Sequence, residues 1–164
     1  MSERYHVRLE KERHVFSAAH FITYGDDVCE PLHGHNYRVG VEVHGPLEQN
    51  QYVVDFILLR DRLQEIVDAL DHKMLLPTGH PTISVRAEGA EVVARHGERR
   101  WVFPAEECVL LPVENTTAER LAWYIGGRLR ELLPVEAVAA IDRMRVAVDE
   151  CDGQWGVCEF DGTA

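Results

Sequence analysis

The stretch Cys29-Glu-Pro-Leu-His33-Gly-His35-Asn36-Tyr37 runs directly into an alternating segment, Tyr37-Arg-Val39-Gly-Val41-Glu-Val43. Along a β-strand, residues i and i+2 point to the same face. His33 and His35 can therefore offer two imidazoles to one ion from one strand, and Gly34 between them adds no bulk on the other face. His20 ends an earlier apolar run, Val15-Phe16-Ser17-Ala18-Ala19. Three neutral imidazoles that leave one position open are the donor set of a catalytic zinc site rather than a structural one. A His-x-His pair alone is more often two ordinary strand histidines; His20 and Cys29 are what sharpen it. Cys29 is near enough in sequence to be a fourth ligand or a reactive thiolate, and the thiolate is the expectation.

Working outward, Tyr5 to His20 has the length and pattern of a first strand, interrupted at Glu10-Lys-Glu-Arg-His14 where a bulge or bend is expected. Gly25, Asp26, Asp27 and Pro31 make residues 23–32 a loop. The second strand covers roughly residues 35–44, with Tyr37, Val39, Val41 and Val43 on its apolar face. Asp55 is placed to cap a helix whose stripe is Phe56, Leu59, Leu63, Ile66, Val67 and Leu70, closed by Asp71-His72. A second helix is expected from a capping box, Thr116-Thr-Ala-Glu119. Its buried face is Ala118, Leu121, Ala122, Ile125, Leu129 and Leu132, and Pro134 ends it. The last two strands, 143–150 and 154–160, meet at Asp152-Gly153, a hairpin signal. Glu150 continues the apolar face of Met144, Val146 and Val148, so it needs a cationic or donor-rich partner. Arg143 and Arg145 are the bland candidates, and a ligand is the sharper one.

These elements predict an α+β domain spanning residues 1–164: a four-stranded antiparallel sheet with two helices on one face. Residues 78–114 are too long for a bare connector. Short strand-like runs with turns at Gly89 and His96-Gly97-Glu98 predict an inserted β-hairpin or flap. The net charge of -11 argues against nucleic acid or an acidic membrane surface as partner. No apolar run reaches membrane-spanning length, and the charged N-terminus lacks a secretory pattern. Cys29, Cys108, Cys151 and Cys158 form no disulfide framework, so free thiols in a cytoplasmic setting are expected. His6, His14, His44, His80 and His96 are expected on the surface.

Ala19-His20, Cys29-x-x-x-His33-Gly-His35-Asn36-Tyr37, Asp55-Phe56, Leu70-Asp71-His72, Thr117-x-Glu119 and the late Glu150 occur in this order. Each motif is weak, but the ordered set closely resembles the 6-pyruvoyl-tetrahydropterin synthase family, which includes the bacterial 6-carboxytetrahydropterin synthases. The resemblance covers most of the chain outside residues 78–114. It implies the tunnelling fold, with subunits side by side in a β-barrel as a homohexamer of two trimers. It implies 7,8-dihydroneopterin triphosphate as substrate and Zn2+ on His20, His33 and His35. It implies Cys29 as catalytic thiol, Asp71 and His72 as a catalytic pair, Glu150 as the pterin anchor, and Thr117 and Glu119 near the pterin. Of the family's activities, the 6-carboxy branch toward queuosine and related 7-deazaguanines is expected, with acetaldehyde and triphosphate released. The 6-pyruvoyl branch toward tetrahydrobiopterin, and a zinc- and pterin-binding module without turnover, are the alternatives. Phe21 stands where many relatives are basic.

The chemistry suits these side chains. A thiol of pKa about 8.5 needs a nearby cation to act as a base near neutrality, and His72 at a helix C-terminus, reinforced by Asp71, can supply one. Adjacent residues do not face each other within a regular helix, so this pair is expected where the helix unwinds. A carboxylate at Glu150 can accept two hydrogen bonds from an aminopyrimidine.

Overall fold

A computed structural model describes residues 3–162. The order is β1 (Tyr5–His20), β2 (Thr23–Tyr24), β3 (Val28–Cys29), β4 (His33–Gly45), α1 (Phe56–Leu70), β5 (Lys73–Pro77), β6 (Ser84–Glu88) and β7 (Glu91–His96). There follow β8 (Arg99–Pro104), β9 (Cys108–Leu111), α2 (Ala118–Leu132), α3 (Val135–Ala139), β10 (Arg143–Asp149) and β11 (Trp155–Asp161). Six strands make the main sheet, in the order β11-β10-β4-β1-β5-β9. Neighbours from β11 to β1 are antiparallel, whereas β5 runs parallel to both β1 and β9. The expected four-stranded antiparallel sheet is thus only part of a mixed six-stranded one. Of the two strands not anticipated, β5 is short and buries Met74, Leu75 and Leu76 in succession, and β9 is a short edge strand with Leu110 exposed. A strand covered on both faces reads as a continuous apolar run, with no alternation to mark it.

The expected bulge in β1 is large. Glu10 faces Gly40 and Val15 faces Arg38, so four residues, Lys11 to His14, stand opposite Val39 alone. Three of those are in excess of the ladder, and an odd excess exchanges the two faces of a strand. Before the bulge the buried residue is Leu9; after it the buried residues are Phe16, Ala18 and His20. His14, expected at the surface, is fully buried within the bulge, and neither of its ring nitrogens has a hydrogen-bond partner. The excess residues have to fold inward somewhere, and His14 is the one that does. Burial, with the Arg13 and Lys11 charges next in weight, holds its imidazole below the usual histidine range.

Both helices pack on the face carrying Tyr37, Val39, Val41, Val43, Met144, Val146 and Val148, in one apolar core. The Asp55 carboxylate accepts the Ile57 and Leu58 N–H groups and caps α1. That helix buries Leu59, Leu63, Ile66, Val67 and Leu70, while Phe56 at its first position is half exposed. The capping box at α2 is shifted by one residue: Thr117, not Thr116, is the cap, and its hydroxyl accepts the Arg120 N–H. Thr116 is fully buried instead, because its carbonyl serves His20. Among the described residues no helix is long and apolar enough to cross a membrane, and all four cysteines are unpaired.

Residues 78–114 do not form a hairpin. They contribute a separate three-stranded antiparallel sheet, β6-β7-β8, and then rejoin the main sheet as β9. The second turn, at Gly97 with φ of +54°, sends the chain back once more than a hairpin would. Phe21, Met74, Leu76, Ile83, Val92 and Ala94 form a second apolar cluster under it. Phe21 stacks on Trp101 at 4.3 Å between ring centroids, so the residue after His20 is an anchor for the inserted sheet.

The paired glycines of α2 differ in what surrounds them. A Cβ at Gly126 would lie 2.2 Å from the Phe160 ring, whereas one at Gly127 would meet nothing within 4 Å. Gly127→Ala is therefore expected to stabilise the protein by roughly 0.5–1 kcal/mol through helix propensity. Gly126→Ala is expected to destabilise it by about 1–3 kcal/mol through overpacking. Urea denaturation of both variants checks the opposite signs.

Candidate functional site

Because of the bulge, His20 stands directly across from His33 in the ladder, and Ala18 across from His35. The three imidazoles share one face at one end of the sheet. Ring centroids of His20 and His33 are 4.7 Å apart, those of His33 and His35 4.8 Å, and those of His20 and His35 5.2 Å. Glu150 completes the group, and one ligand atom from each of the four residues lies within 4.8 Å of all the others. Glu150 enters from the turn between β10 and β11. Its Oε1 is 3.3 Å from His20 Nε2 and 3.2 Å from His35 Nε2. The pairs are not aligned for hydrogen bonds, so among the described residues both Nε2 atoms are buried without a hydrogen-bond partner.

The outer nitrogens are committed. His20 Nδ1 lies 2.9 Å from the Thr116 carbonyl, and His33 Nδ1 lies 2.9 Å from the Pro31 carbonyl. A ring nitrogen can bond a carbonyl only by donating, so in the neutral rings Nδ1 carries the proton and Nε2 keeps its lone pair. This is the arrangement by which backbone carbonyls orient metal-ligating histidines. Ligands of a tetrahedral ion at about 2.1 Å stand roughly 3.4 Å apart, so small ring movements would close the group around an ion. Burial keeps His35 neutral to lower pH than a free imidazole, even with Glu150 beside it. The His20 ring holds the Glu150 carboxyl below its ordinary range, against the effect of burial. Three imidazoles and a carboxylate, with the Nε2 atoms of His20 and His35 left unmatched, fit a divalent cation.

Thr116 and Asp149 were not legible as site residues. Thr116 orients His20 through its main chain, which leaves no side-chain signature. Asp149 is almost fully buried, and its carboxylate accepts the Gly153 and Gln154 N–H groups at 2.9–3.1 Å. It pins the turn that carries Glu150; its signal was the Asp-x-x-x-Gly spacing at that turn. Arg143 and Arg145 pair with Glu159 rather than Glu150.

The other expected site residues stand outside the four-residue group. Cys29 ends β3 and packs against the apolar cluster of the inserted sheet; its thiol lies 3.5 Å from the Glu30 carbonyl. Burial pushes the Cys29 thiol up, and the Arg99 guanidinium pulls it back. Asp71 and His72 do pair where α1 unwinds: Asp71 is extended, His72 has φ of +58°, and Asp71 Oδ2 is 2.8 Å from His72 Nδ1. Asp71 Oδ1 also accepts the Ser17 N–H at 2.7 Å, tying the pair to β1. The His72 side chain is 82% exposed. Among the described residues no hydrogen bond joins Cys29 to His72. Thr117 caps α2, and Glu119 is exposed in that helix's first turn.

Two open cavities adjoin the group. One of about 1080 Å³ is lined by His35, Glu150, Lys11 and Arg38, and one of about 560 Å³ by His35, His72, Lys73 and Phe103. They share Ser17, Gly34, His35 and Asn36.

Comparison with known proteins agrees with this geometry. The description of the 6-pyruvoyl tetrahydropterin synthase family matches residues 8–160. The chain belongs to that family. It is 33% identical over 144 residues to a putative 6-carboxy-5,6,7,8-tetrahydropterin synthase of Methanocaldococcus jannaschii, covering 87% of each chain. It is 32% identical over 117 residues to a protein of the same name from Pyrococcus horikoshii, covering 71% of this chain and 69% of that one. The solved 6-pyruvoyl tetrahydropterin synthase of Plasmodium falciparum superposes with a TM-score of 0.91 at 26% identity, over 98% of this chain and 99% of that one. In this member of the 6-pyruvoyl tetrahydropterin synthase family, the ordered motifs lie on the strands and helix ends described above.

The Ser17 N–H, with His72 adding to it, holds the Asp71 carboxyl below its usual range. A depressed folded-state pKa gives stability that is present above the unfolded value of about 4 and is lost as pH falls through the folded value. Asp71→Asn is therefore expected to be less stable than the parent at neutral pH, with the gap closing only as pH falls below the ordinary carboxylate range. Denaturation midpoints across pH 2–7 check this.

Proposed function

We propose that this chain is a zinc-dependent 6-carboxy-5,6,7,8-tetrahydropterin synthase. Its substrates would be 7,8-dihydroneopterin triphosphate and one water, and acetaldehyde and triphosphate its other products. The observation that carries this reading is the convergence of three imidazoles and Glu150 on one point, with the Nε2 atoms of His20 and His35 buried and unmatched and the Nδ1 atoms of His20 and His33 held by carbonyls. The names of the archaeal relatives point to the same activity.

In this reading His20, His33 and His35 hold the ion. Bound there, zinc supplies Lewis acidity toward the hydroxyl oxygens of the substrate side chain. Glu150 borders the larger cavity, where its carboxylate can accept the N–H groups of the aminopyrimidine. Thr117 and Glu119 stand at the start of α2, whose backbone presses against Gly156 of β11 so closely that a Cβ there would lie 2.4 Å from the Glu119 nitrogen. That contact sets the helix start beside the hairpin that bears Glu150. Cys29 removes a side-chain proton as general base, and triphosphate leaves by elimination. His72 relays the proton, oriented by Asp71 at Nδ1 so that its Nε2 faces outward.

Because His72 is exposed and makes no hydrogen bond to Cys29 within one chain, we place the relay between neighbouring subunits of a homohexamer. The exposed apolar side chains Tyr52, Phe56 and Ile57 support such assembly. The catalytic role of Cys29 in the 6-pyruvoyl branch would be the same, so product chemistry separates the two.

Incubation of the zinc-loaded protein with 7,8-dihydroneopterin triphosphate is expected to yield acetaldehyde in step with triphosphate. A pyruvoyl product without acetaldehyde would assign the other branch, and pterin binding without triphosphate release would leave a binding module. Cys29→Ala and His72→Ala are each expected to lose at least a hundredfold in kcat. Refolded as a mixture, they are expected to recover a substantial fraction of parental activity; no recovery would place both groups in one chain.

A further inference from the structure

We propose that the inserted three-stranded sheet is a clamp that fixes the Cys29 hairpin, with Arg99 and Thr82 as its positioning residues. The inference rests on the assignment of Cys29 as the reacting thiol and goes beyond it. The hairpin is formed by β2 and β3, which pair only as Thr23 with Cys29 and Tyr24 with Val28. Two such short strands do not hold a geometry on their own.

Each part of the hairpin is held from the inserted segment. At the base, Arg99 Nη1 donates to the Cys29 carbonyl at 2.8 Å. The Arg99 guanidinium lies 4.7 Å from the centre of the Trp101 ring, and Trp101 stacks in turn on Phe21. At the tip, the Thr82 hydroxyl donates to Asp27 Oδ1 at 2.6 Å, and His96 Nε2 lies 3.2 Å from the same oxygen. Asp27 sits at φ of +64°, in the left-handed region that aspartate adopts more readily than most side chains, at the tip of the hairpin. On the first strand, His80 Nε2 is 2.7 Å from the Thr23 hydroxyl. His80 Nδ1 accepts the Thr82 and Ile83 N–H groups at 3.1 and 2.9 Å, so its Nε2 carries the proton and donates to Thr23.

The clamp thus grips the thiol-bearing hairpin at three separate places through hydrogen bonds from residues 80, 82 and 99, all from residues 78–114, with His96 packed beside Asp27. The segment also covers the thiol, since Cys29 packs in the apolar cluster with Trp101 and Phe103. Through Phe21 the same cluster abuts His20. The insertion therefore links the position of the sulfur to the position of the imidazole group. A hairpin left to itself would sample many positions for that sulfur, and a displacement of about 1 Å at a reacting group can cost a hundredfold in rate.

Hydrogen exchange read by mass spectrometry, together with steady-state kinetics on the zinc-loaded protein, tests this. Thr82→Val is expected to speed amide exchange across residues 23–30 about fivefold, and the Thr82→Val/Arg99→Gln double variant at least tenfold. Exchange in β4 and in the inserted sheet should stay at the parental rate. kcat should fall by similar factors with KM and zinc content unchanged, and Thr82→Ser, which keeps the hydroxyl, should restore both. Unchanged exchange at residues 23–30 overturns the clamp, as does faster exchange throughout the inserted sheet. A loosened hairpin with parental kcat overturns the positioning role. If the parent itself releases no triphosphate, the enzymatic assignment fails, and the exchange data still decide whether the clamp exists.

Discussion

The odd excess of residues in the first strand governs the site. With Lys11 to His14 crowded opposite Val39, the strand leaves the bulge with its faces exchanged. An uninterrupted ladder would have put the ring of His20 on the opposite side from those of His33 and His35. With the bulge, all three point into one corner, in which His20 is fully buried and His33 and His35 are partly exposed. The cost is a buried His14 with no hydrogen-bond partner for either nitrogen. Burying an imidazole in that way is tolerable only in its neutral form, consistent with the direction in which burial moves it.

The fourth side of that corner is built by a turn rather than a strand. Asp149 spends its carboxylate on the N–H groups of Gly153 and Gln154, and Asp152 and Gly153 both adopt positive φ. The chain therefore reverses tightly just after Glu150 and directs that carboxylate at the imidazoles. A carboxylate there joins the imidazoles as a fourth candidate ligand, whereas against the apolar face of β10 alone its charge would be costly. Helix α2 abuts the same hairpin through Gly156, and the residue before its cap, Thr116, orients His20. One short stretch thus supports a metal-type ligand and a carboxylate from opposite strands.

The inserted sheet connects to this corner through apolar packing. Phe21 follows His20 immediately and is fully buried beneath Trp101. A basic residue at that position would face the same apolar cluster and could not be accommodated without a partner. The departure at Phe21 and the presence of residues 78–114 are therefore one feature seen twice. The aromatic residue is what the additional sheet stands on.

Local patterns made much of this protein legible from its chain alone. The alternation of β4, the Asp55 cap, the apolar stripes of α1 and α2 and the Asp-Gly turn each depend on neighbours within a few residues, and each is found. The ordered histidines, Cys29, Asp71-His72 and Glu150 likewise pointed to the family. What the chain order did not reveal depends on distant partners. The buried parallel strand β5 carries no alternation, because covering on both faces removes the polar half of the pattern, and the four-residue edge strand β9 is too short to show one. The cap of α2 moved by one residue because the carbonyl of Thr116 is taken by a ring ninety-six positions away. Which residues stand around Glu150, and which surround Cys29, was decided by strand register and by the docking of the inserted sheet. Neither is a property of any single segment, so both emerge only when the chain is folded.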